Sequence, residues 1–319
     1  MLLWNGRVNS KANPRCMIKE TSEISAVLKE CRYNTFVLLD LDKTVHDASQ
    51  ELGGDAWFVD MHEHARQVMP DQPTMRRAAV VELYHLVQHY TLVKPVEENT
   101  VRIIRLLQDM HIPVIALTSR GKEIIQPTLR QLAQIGVDFS RNWDDLQGVI
   151  RLDESSPAIF REGVIFCSGS DKGVCLDMFF KYLKEYAKSF PAHVVMMDDA
   201  RRHLEAVEKV VAAHGCDFTG LRYGRLDEKT AQWNRKKAIK QLHTLSAEQF
   251  TEQQQALLAT LQIPPASPSA SPRQTYAFFT EQSSSVSREK RLLESNSKDD
   301  DAGMIRGKAR MRSASLSRG

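Results

Sequence analysis

Four continuously apolar segments recur along the chain at intervals that suit a parallel sheet. Neighbouring residues within each segment are apolar rather than alternately apolar and polar, which is typical of strands covered by helices on both faces. The segments are "TFVLLDL" (35–41), "PVIALT" (113–118), "GVIFC" (163–167) and "HVVMMD" (193–198). A fifth strand is predicted at "DFTGLRYG" (217–224).

Helical patterns lie between or after these strands. In "VEENTVRIIRLLQDM" the residues Ile103, Leu107 and Met110 share one face. The same spacing recurs later in the chain, at Leu204 and Val207. Strands that alternate with amphipathic helices predict an α/β domain with a doubly wound parallel sheet.

Two insertions interrupt this alternation. Residues 48–94 carry two helical patterns and predict a helical cap inserted after the first strand, which leaves 1–47 and 95–225 as the core. A smaller insertion, residues 142–163, predicts a hairpin before the third strand.

The last third of the chain changes character twice. Residues 226–263 predict a helical extension, with Trp233, Leu242 and Leu245 among its packing residues. From about residue 264 the composition becomes rich in Ser and Pro and then basic, so residues 264–319 are predicted to be mostly disordered.

Composition excludes several classes of protein. The net charge of the 319 residues is only +3, which predicts no nucleic-acid partner. The five cysteines form no CxxC pair, which argues against a disulfide scaffold or a thiolate zinc site and favours a reducing compartment. No apolar run approaches the roughly 18–20 residues of a membrane span, and the start lacks a secretory signal. We therefore expect a soluble, cytoplasmic protein.

Asp40 and Asp42 stand at the end of the first apolar strand, in the string "DLDKT". Residues i and i+2 of a strand point to the same face, and open α/β sheets bind ligands at the carboxyl ends of their strands. Two neighbouring carboxylates repel each other unless a proton or a cation relieves them, and Mg²⁺ prefers oxygen ligands. The pair predicts a metal site, with a turn or a helix cap as the alternative.

Three later strand ends add candidates. Thr118 and Ser119 offer a hydroxyl to a phosphoryl oxygen, or else an N-cap to the next helix. Lys172 stands at a predicted helix start, where the dipole disfavours a cation, so it indicates a bound anion unless it is an exposed surface lysine. Asp198 and Asp199 end the fourth strand, and one of them is alternatively a cap.

The motif DxDxT, a strand-terminal Thr/Ser, a Lys and a strand-terminal Asp-Asp occur in the order that resembles the haloacid dehalogenase (HAD) superfamily, over about residues 33–215. More narrowly, "LDLDKTVHD", "GGDAWF" and "ALTSRG" resemble a branch known mainly from bacteria that live inside host cells. The resemblance implies a five-stranded parallel sheet with a cap after the first strand.

It also implies roles for the candidate residues. Asp40 is then the nucleophile that becomes an aspartyl-phosphate, and Asp42 is the general acid and base. Thr118 binds the transferring phosphoryl group, whose charge Lys172 neutralises. Phosphatases keep the second Asp, whereas the dehalogenases of the superfamily lack it, so Asp42 favours a phosphatase.

The resemblance implies a Mg²⁺ site as well. Asp198 holds the ion together with the Asp40 side chain and the backbone carbonyl of Asp42, and Asp199 binds or orients a water on the metal. Phosphoryl transfer spreads negative charge over the equatorial oxygens, so Lys172 and Mg²⁺ supply the cations that catalysis needs.

Three further residues are open to two interpretations. Trp57 and Phe58 either line a leaving-group pocket, which would favour an aryl phosphate such as phosphotyrosine, or form the core of the cap. Arg120 either contacts phosphate or is a solvated surface residue.

We therefore expect a Mg²⁺-dependent phosphomonoester hydrolase that acts on a phosphorylated small molecule or a phosphoprotein. The alternative is a HAD-like scaffold or effector with little catalysis, which binds a host protein or an anionic membrane through its C-terminal region. The Ser-rich, basic C-terminus is also compatible with export into a host cell.

Overall fold

The computed structural model describes residues 13–143, 146, 149–152, 157–186 and 190–263, with no side-chain description for residues 149 and 186. Its main sheet contains eight strands within this part of the chain. They are β1 (Cys16–Thr21), β2 (Thr35–Leu39), β5 (Val114–Thr118), β6 (Val149–Arg151), β7 (Ile159–Arg161), β8 (Val164–Phe166), β9 (His193–Asp198) and β10 (Asp217–Tyr223). A separate pair consists of β3 (His46–Ala48) and β4 (Val93–Pro95).

The main sheet has the order β1-β10-β9-β2-β5-β8-β7-β6. Along this order the five pairings between β1, β10, β9, β2, β5 and β8 are parallel. The two pairings at the other edge, β8–β7 and β7–β6, are antiparallel. The five predicted strands and the predicted hairpin are thus confirmed. The predicted number of five parallel strands is wrong, because β1 pairs with β10 and adds a sixth parallel strand at the edge of the sheet.

Helices cover both faces of the sheet. The helices of the described residues are α1 (Ala26–Glu30), α2 (Asp55–Val68), α3 (Pro73–Gln88), α4 (Thr100–Asp109), α5 (Ile125–Gln134), α6 (Lys172–Tyr186), α7 (Arg201–Ala213), α8 (Asp227–Ala231), α9 (Arg235–Gln249) and α10 (Glu252–Thr260). Alternate residues of β2 enter different cores: Phe36 packs with α6 and α7, whereas Val37 packs with α1, α4 and α5. This double burial explains the continuous apolar pattern of the strand.

The helical insertion consists of α2 and α3, and the antiparallel pair β3–β4 joins it to the sheet. The C-terminal helices pack on it, since Leu242 and Leu245 of α9 share a buried cluster with Trp57. The side chain of Gln241 accepts a hydrogen bond from the backbone N–H of Leu52 at 3.0 Å. The C-terminal extension therefore holds the cap in place.

None of the helices within the described residues is long and apolar enough to cross a membrane. The predicted tail, residues 264–319, lies outside the described part of the chain, so its disorder stays a prediction.

Candidate active site

The tips of β2 and β9 bring Asp40 and Asp198 together. Leu39 pairs with Met197 in the parallel ladder, and the backbone N–H of Asp40 donates to the carbonyl of Met197 at 3.0 Å. The two aspartates therefore emerge side by side at the carboxyl edge of the sheet, as the sequence predicts. Asp40 is buried and Asp198 is fully buried.

A tight turn after β2 keeps the second half of the motif at this edge. The N–H groups of Val45 and His46 both donate to the carbonyl of Leu41, and the N–H of Lys43 donates to the carbonyl of His46 at 2.8 Å. Lys43 has a positive φ of 60°, a conformation uncommon in side-chain-bearing residues. The chain thus folds back at once and leaves Asp42 facing the site.

The loop that carries Lys172 is fastened to the end of β5. The N–H groups of Cys167 and Gly169 donate to the carbonyls of Thr118 and Ser119, both at 2.9 Å. The carboxylate of Asp171 accepts from the N–H of Val174 at 3.0 Å, which caps the first turn of α6. Lys172 consequently enters the site from a fixed backbone.

Lys172 lies between two carboxylates. Its Nζ is 2.5 Å from Oδ1 of Asp40 and 2.7 Å from Oδ2 of Asp198, and only 1% of its side chain is exposed. The interpretation of Lys172 as an exposed surface lysine is therefore wrong. Although burial lowers the pKa of Lys172, the charges of Asp198 and Asp40 raise it above its ordinary value, so the group stays cationic.

Asp40 experiences the opposite balance. Burial raises the pKa of Asp40 well above its ordinary value, and the charges of Asp198 and Asp199 add to the effect, while Lys172 opposes it. Oxygen atoms of Asp40, Asp198 and Asp199 all lie within 4.8 Å of one another. This crowding is the repulsion that a proton or a cation relieves.

The remaining contacts of Asp198 and Asp199 orient the pair. Oδ1 of Asp198 accepts from the N–H of Ala200 at 2.8 Å, and Nδ1 of His203 lies 3.1 Å from the same oxygen. Asp199 pairs with Lys43 at 2.5 Å. The sequence allowed that one of the two aspartates caps a helix. Asp198 has part of that role, because its side chain accepts from the N–H of Ala200, the residue directly before α7.

Arg120 forms a bidentate pair with Asp42. Its Nε and Nη2 donate to the two carboxylate oxygens at 2.8 and 2.7 Å, and its Nη1 donates to Thr128 and Gln131. Arg120 is 5% exposed, so its interpretation as a solvated surface residue is wrong. Although burial raises the pKa of Asp42, Arg120 holds it well below its ordinary range. Asp42 is therefore ionised in this arrangement.

Thr118 is buried at the end of β5, and its hydroxyl oxygen accepts from the N–H of Arg120 at 3.2 Å. The short helical turn that follows begins after Gly121 and has no side-chain cap. Thr118 is thus not the N-cap that the alternative supposed.

A cleft of about 1370 Å³ separates this edge of the sheet from the cap. Asp42 and Arg120 line it from the core, and Phe58 and Tyr84 line it from the cap. The rings of Phe58 and Tyr84 lie 4.6 Å apart between centroids. Trp57 is instead buried in the cap core, so of the two aromatic residues singled out in the sequence only Phe58 faces the cleft.

The structure thus brings together Asp40, Asp42, Lys172, Asp198 and Asp199. Thr118 lies at the end of β5, the strand next to β2. Sequence reasoning missed Lys43, His203 and Tyr84. Lys43 stands inside the DxDxT string, so the sequence alone could have predicted that it lies near the carboxylates. Tyr84 comes from a distant cap helix whose packing direction the sequence does not reveal.

Four carboxylates, those of Asp40, Asp42, Asp198 and Asp199, face three cations, Lys43, Arg120 and Lys172. Lys43 also pairs with Asp55 at 3.0 Å, so at least one negative charge is left uncompensated when all four carboxylates are ionised. Such an arrangement is suited to accept one further cation or to keep one proton.

Comparison with known proteins gives distant relatives in Chlamydia. A protein of Chlamydia pneumoniae named "Putative outer membrane protein" is 23% identical over 212 residues, which cover 65% of this chain and 77% of the relative. A protein of the same name from Chlamydia trachomatis serovar D is 23% identical over 225 residues, or 70% of this chain and 81% of the relative. A third, from Chlamydia muridarum, is 21% identical over 226 residues, or 70% of this chain and 82% of the relative.

No solved structure matches this chain. The family model described as "Protein of unknown function (DUF2608)" matches residues 17–260, which include both tips of the sheet, the cap and the C-terminal helices. The chain belongs to the DUF2608 family.

Proposed function

We propose that this protein is a phosphomonoester hydrolase of the HAD type, which depends on Mg²⁺ and transfers a phosphoryl group from its substrate to Asp40. The observation that carries the proposal is the ion-pair cluster at the sheet edge: Lys172 bridges Asp40 and Asp198, and all three side chains are buried. Burying three charged groups is costly unless they serve a purpose beyond stability.

The residues present fit a Mg²⁺ ion by their donor chemistry. Asp40, Asp198 and Asp199 offer three carboxylate oxygens close together, two of the residues are buried, and hard oxygen ligands are those that Mg²⁺ prefers. These carboxylates and the backbone carbonyl of Asp42 would hold the ion. Mg²⁺, when bound, supplies positive charge that offsets the phosphoryl oxygens.

The side chains divide the chemistry of the first half-reaction. A carboxylate oxygen of Asp40 attacks phosphorus in line, the bond from phosphorus to the leaving oxygen breaks, and Asp42 gives its proton to that oxygen. Lys172 offsets the charge on the equatorial oxygens, and the hydroxyl of Thr118 donates to one of them. In the second half, Asp42 takes a proton from water as the water attacks phosphorus, the bond from phosphorus to the Asp40 oxygen breaks, and inorganic phosphate leaves.

The ion pair between Asp42 and Arg120 bears on this scheme. An ionised Asp42 has no proton to donate, so the acid role requires that Arg120 release it. A phosphoryl group in the cleft is an anion that competes with Asp42 for the guanidinium, because Arg binds phosphate and carboxylate with the same fork of donors. Loss of the pair then lets burial raise the pKa of Asp42, which favours the protonated acid.

The substrate is proposed to be an aryl phosphate such as phosphotyrosine, whose leaving group is a phenol. Phe58 and Tyr84 line the cleft on the cap side, opposite Asp42. Flat aromatic side chains favour contact with another ring in stacked or edge-on geometry.

The test is hydrolysis of para-nitrophenyl phosphate with Mg²⁺ and with EDTA, by the unaltered protein, by Asp40→Asn and by Asp109→Asn. Asp109 is on the surface of α4 and provides the matched control. We expect hydrolysis that EDTA abolishes, that Asp40→Asn abolishes, and that Asp109→Asn leaves unchanged. Activity that survives both EDTA and Asp40→Asn would overturn the proposal.

A further inference from the structure

Arginine side chains cluster on the cap side of the cleft, away from the catalytic carboxylates. Arg66, Arg76 and Arg77 all line it. Arg66 pairs with Glu63, and Arg76 donates to the backbone carbonyl of Pro70 at 3.0 Å. Within the described residues, Arg77 has neither a carboxylate nor a hydrogen-bond acceptor as its partner. It is thus a cation that faces the cleft with its donors free.

Arg77 reaches across the cleft towards the loop that precedes Lys172. Its Nη2 lies 3.6 Å from the place that a Cβ on Gly169 would occupy. Gly169 has a φ of +74° and lies three residues before Lys172. The guanidinium therefore sits where the cap and the catalytic loop approach each other.

The electrostatic effect of the three arginines is felt at His62, which lines the same cleft. Burial lowers the pKa of His62, and the positive charges of Arg77, Arg66 and Arg76 lower it further. The ring of His62 lies 4.6 Å from that of Phe58, between centroids. The positive region thus begins directly beside the aromatic part of the cleft.

We propose that Arg77 binds an acidic side chain that neighbours the phosphotyrosine of a peptide substrate, so that the protein selects acidic phosphotyrosine peptides. The inference rests on the proposed hydrolase function. The aromatic pair Phe58 and Tyr84 contacts the phenyl ring, and the free guanidinium of Arg77 receives the carboxylate. Arg is suited to this role because its fork of donors matches a carboxylate.

The size of the cleft favours a peptide over a small metabolite. Its volume of about 1370 Å³ exceeds the roughly 300–1,000 Å³ of sites that enclose small ligands. A phosphotyrosine with its neighbouring residues occupies both the aromatic and the basic part of such a cleft, whereas a small sugar phosphate leaves one of them empty.

The test compares two phosphotyrosine peptides of equal length, one with Asp and Glu on both sides of the phosphotyrosine and one with Asn and Gln there. Values of kcat/KM are measured for the unaltered protein, Arg77→Ala, Arg77→Lys and Arg102→Ala. Arg102 is an exposed arginine of α4 outside the cleft and serves as the matched control. We expect about a tenfold preference for the acidic peptide, which resides in KM and falls in high salt.

In Arg77→Ala the preference is expected to fall to about one, while Arg77→Lys keeps part of it and Arg102→Ala keeps all of it. Equal rates on the two peptides in the unaltered protein, with para-nitrophenyl phosphate still hydrolysed, would overturn the inference and leave the hydrolase function standing. Competition by a sugar bisphosphate that depends on Arg77, together with equal rates on the peptides, would also overturn it and assign the arginine to a small substrate.

A binding measurement separates the two proposals. Fluorescence anisotropy is recorded with the acidic and the neutral peptide, each carrying a non-hydrolysable phosphonate in place of the phosphate. Tighter binding of the acidic peptide that Arg77→Ala removes would support the inference even for a protein that hydrolyses nothing. Equal binding of the two peptides would contradict it, whatever the activity.

Discussion

The basic side chains on the two sides of the cleft differ in burial and in ion pairing. On the sheet side, Lys172 and Arg120 are buried and held by carboxylates within 2.8 Å. On the cap side, Arg66 and Arg77 are exposed, and Arg77 has no such partner within the described residues. Buried paired charges fix a geometry, whereas exposed free charges are available to a ligand. We infer that the sheet side carries the chemistry and the cap side the selectivity.

The backbone reinforces this difference. Asp40 and Asp198 follow directly from the ladder between β2 and β9, so hydrogen bonds fix where they begin. Arg77 projects from the surface of α3 towards Gly169, and within the described residues no hydrogen bond or ion pair fixes its guanidinium. Substitutions on the sheet side are therefore expected to affect both stability and rate, and those on the cap side to affect which substrate is used.

The largest effect is expected for Lys172→Met, which tests whether the sheet side depends on paired charge. Its loss leaves Asp40 and Asp198 buried without their cation, which costs about 3–5 kcal/mol of unfolding free energy. Hydrolysis is expected to fall about 10³-fold, since a cation opposite the phosphoryl oxygens is lost. Urea denaturation and aryl phosphate turnover measure the two effects. Lys209→Met, at an exposed position of α7, is the control and should change neither the free energy of unfolding nor the rate. Equal effects of the two substitutions would show that the buried ion pairs of Lys172 have no special role.

The next effect concerns Arg120→Gln. Removal of the guanidinium lets burial raise the pKa of Asp42. A general acid must be protonated, so the alkaline limb of the pH profile of kcat/KM is expected to move to higher pH. The rate itself is expected to fall about 10²-fold, because the phosphoryl group loses a charged donor.

Arg120→Lys provides the matched control for that experiment. It keeps the positive charge and loses the bidentate geometry, so the limb should move less than in Arg120→Gln. An alkaline limb at the same pH in all three proteins would show that Asp42 is not the acid.

A smaller effect is expected for His193 at the other end of β9, where burial changes the pKa of a residue outside the proposed active site. His193 is buried between Thr35 and Thr219, and burial lowers its pKa to about 4. Because the unfolded chain binds a proton near pH 6.5 and the folded chain does not, stability is full above that pH and is lost as the pH falls. The loss at pH 5 is about 2 kcal/mol for this one histidine.

Urea denaturation at pH 7 and pH 5 measures this loss in the unaltered protein and in His193→Gln. The glutamine does not titrate, so its variant should lose about 2 kcal/mol less between the two pH values. His111→Asn is the control at an exposed position, where the positive φ of 56° suits Asn. A loss in His193→Gln equal to that of the unaltered protein would contradict the assignment.

The smallest effect is expected on the cap side. Phe58→Leu removes one ring from the cleft, so kcat/KM for para-nitrophenyl phosphate should fall about threefold to fivefold relative to that for an alkyl phosphate. Stability should change little. Val59→Ala is the control, because Val59 is its exposed neighbour on α2 and does not line the cleft. If the ratio of the two kcat/KM values is the same in Phe58→Leu and in the unaltered protein, Phe58 does not select aryl phosphates.

The sequence predicts the parts of this molecule that depend on local pattern. Strands such as His193–Asp198 can be predicted because both of their faces are buried, which leaves only apolar residues between the two ends. Asp40 and Asp198 are predicted to meet because parallel strands end at one edge of a sheet. The prediction that Met110 shares a face with Ile103 and Leu107 is wrong: α4 ends at Asp109, and Met110 beyond it is 55% exposed, whereas the other two are buried.

Parts that depend on three-dimensional contact are not readable in this way. Arg120 looks like any surface arginine until its partner Asp42, 78 residues earlier, is placed beside it. The strand Cys16–Thr21 lies at the edge of the sheet, and its half-exposed residues lack the continuous apolar pattern of the others. Which arginine of the cap faces the cleft depends on how α3 packs on the core, and that packing leaves no local pattern.

The central claim is that Asp40 carries the phosphoryl group, and it is tested most directly by trapping that group. The protein is mixed with para-nitrophenyl phosphate and Mg²⁺, quenched in acid during the first turnover, digested and examined by mass spectrometry. We predict one phosphoryl group on the peptide that contains Asp40, with fragment ions that place it on this residue, and none in Asp40→Asn. Release of a full equivalent of product with no phosphoryl group on Asp40 would contradict the account.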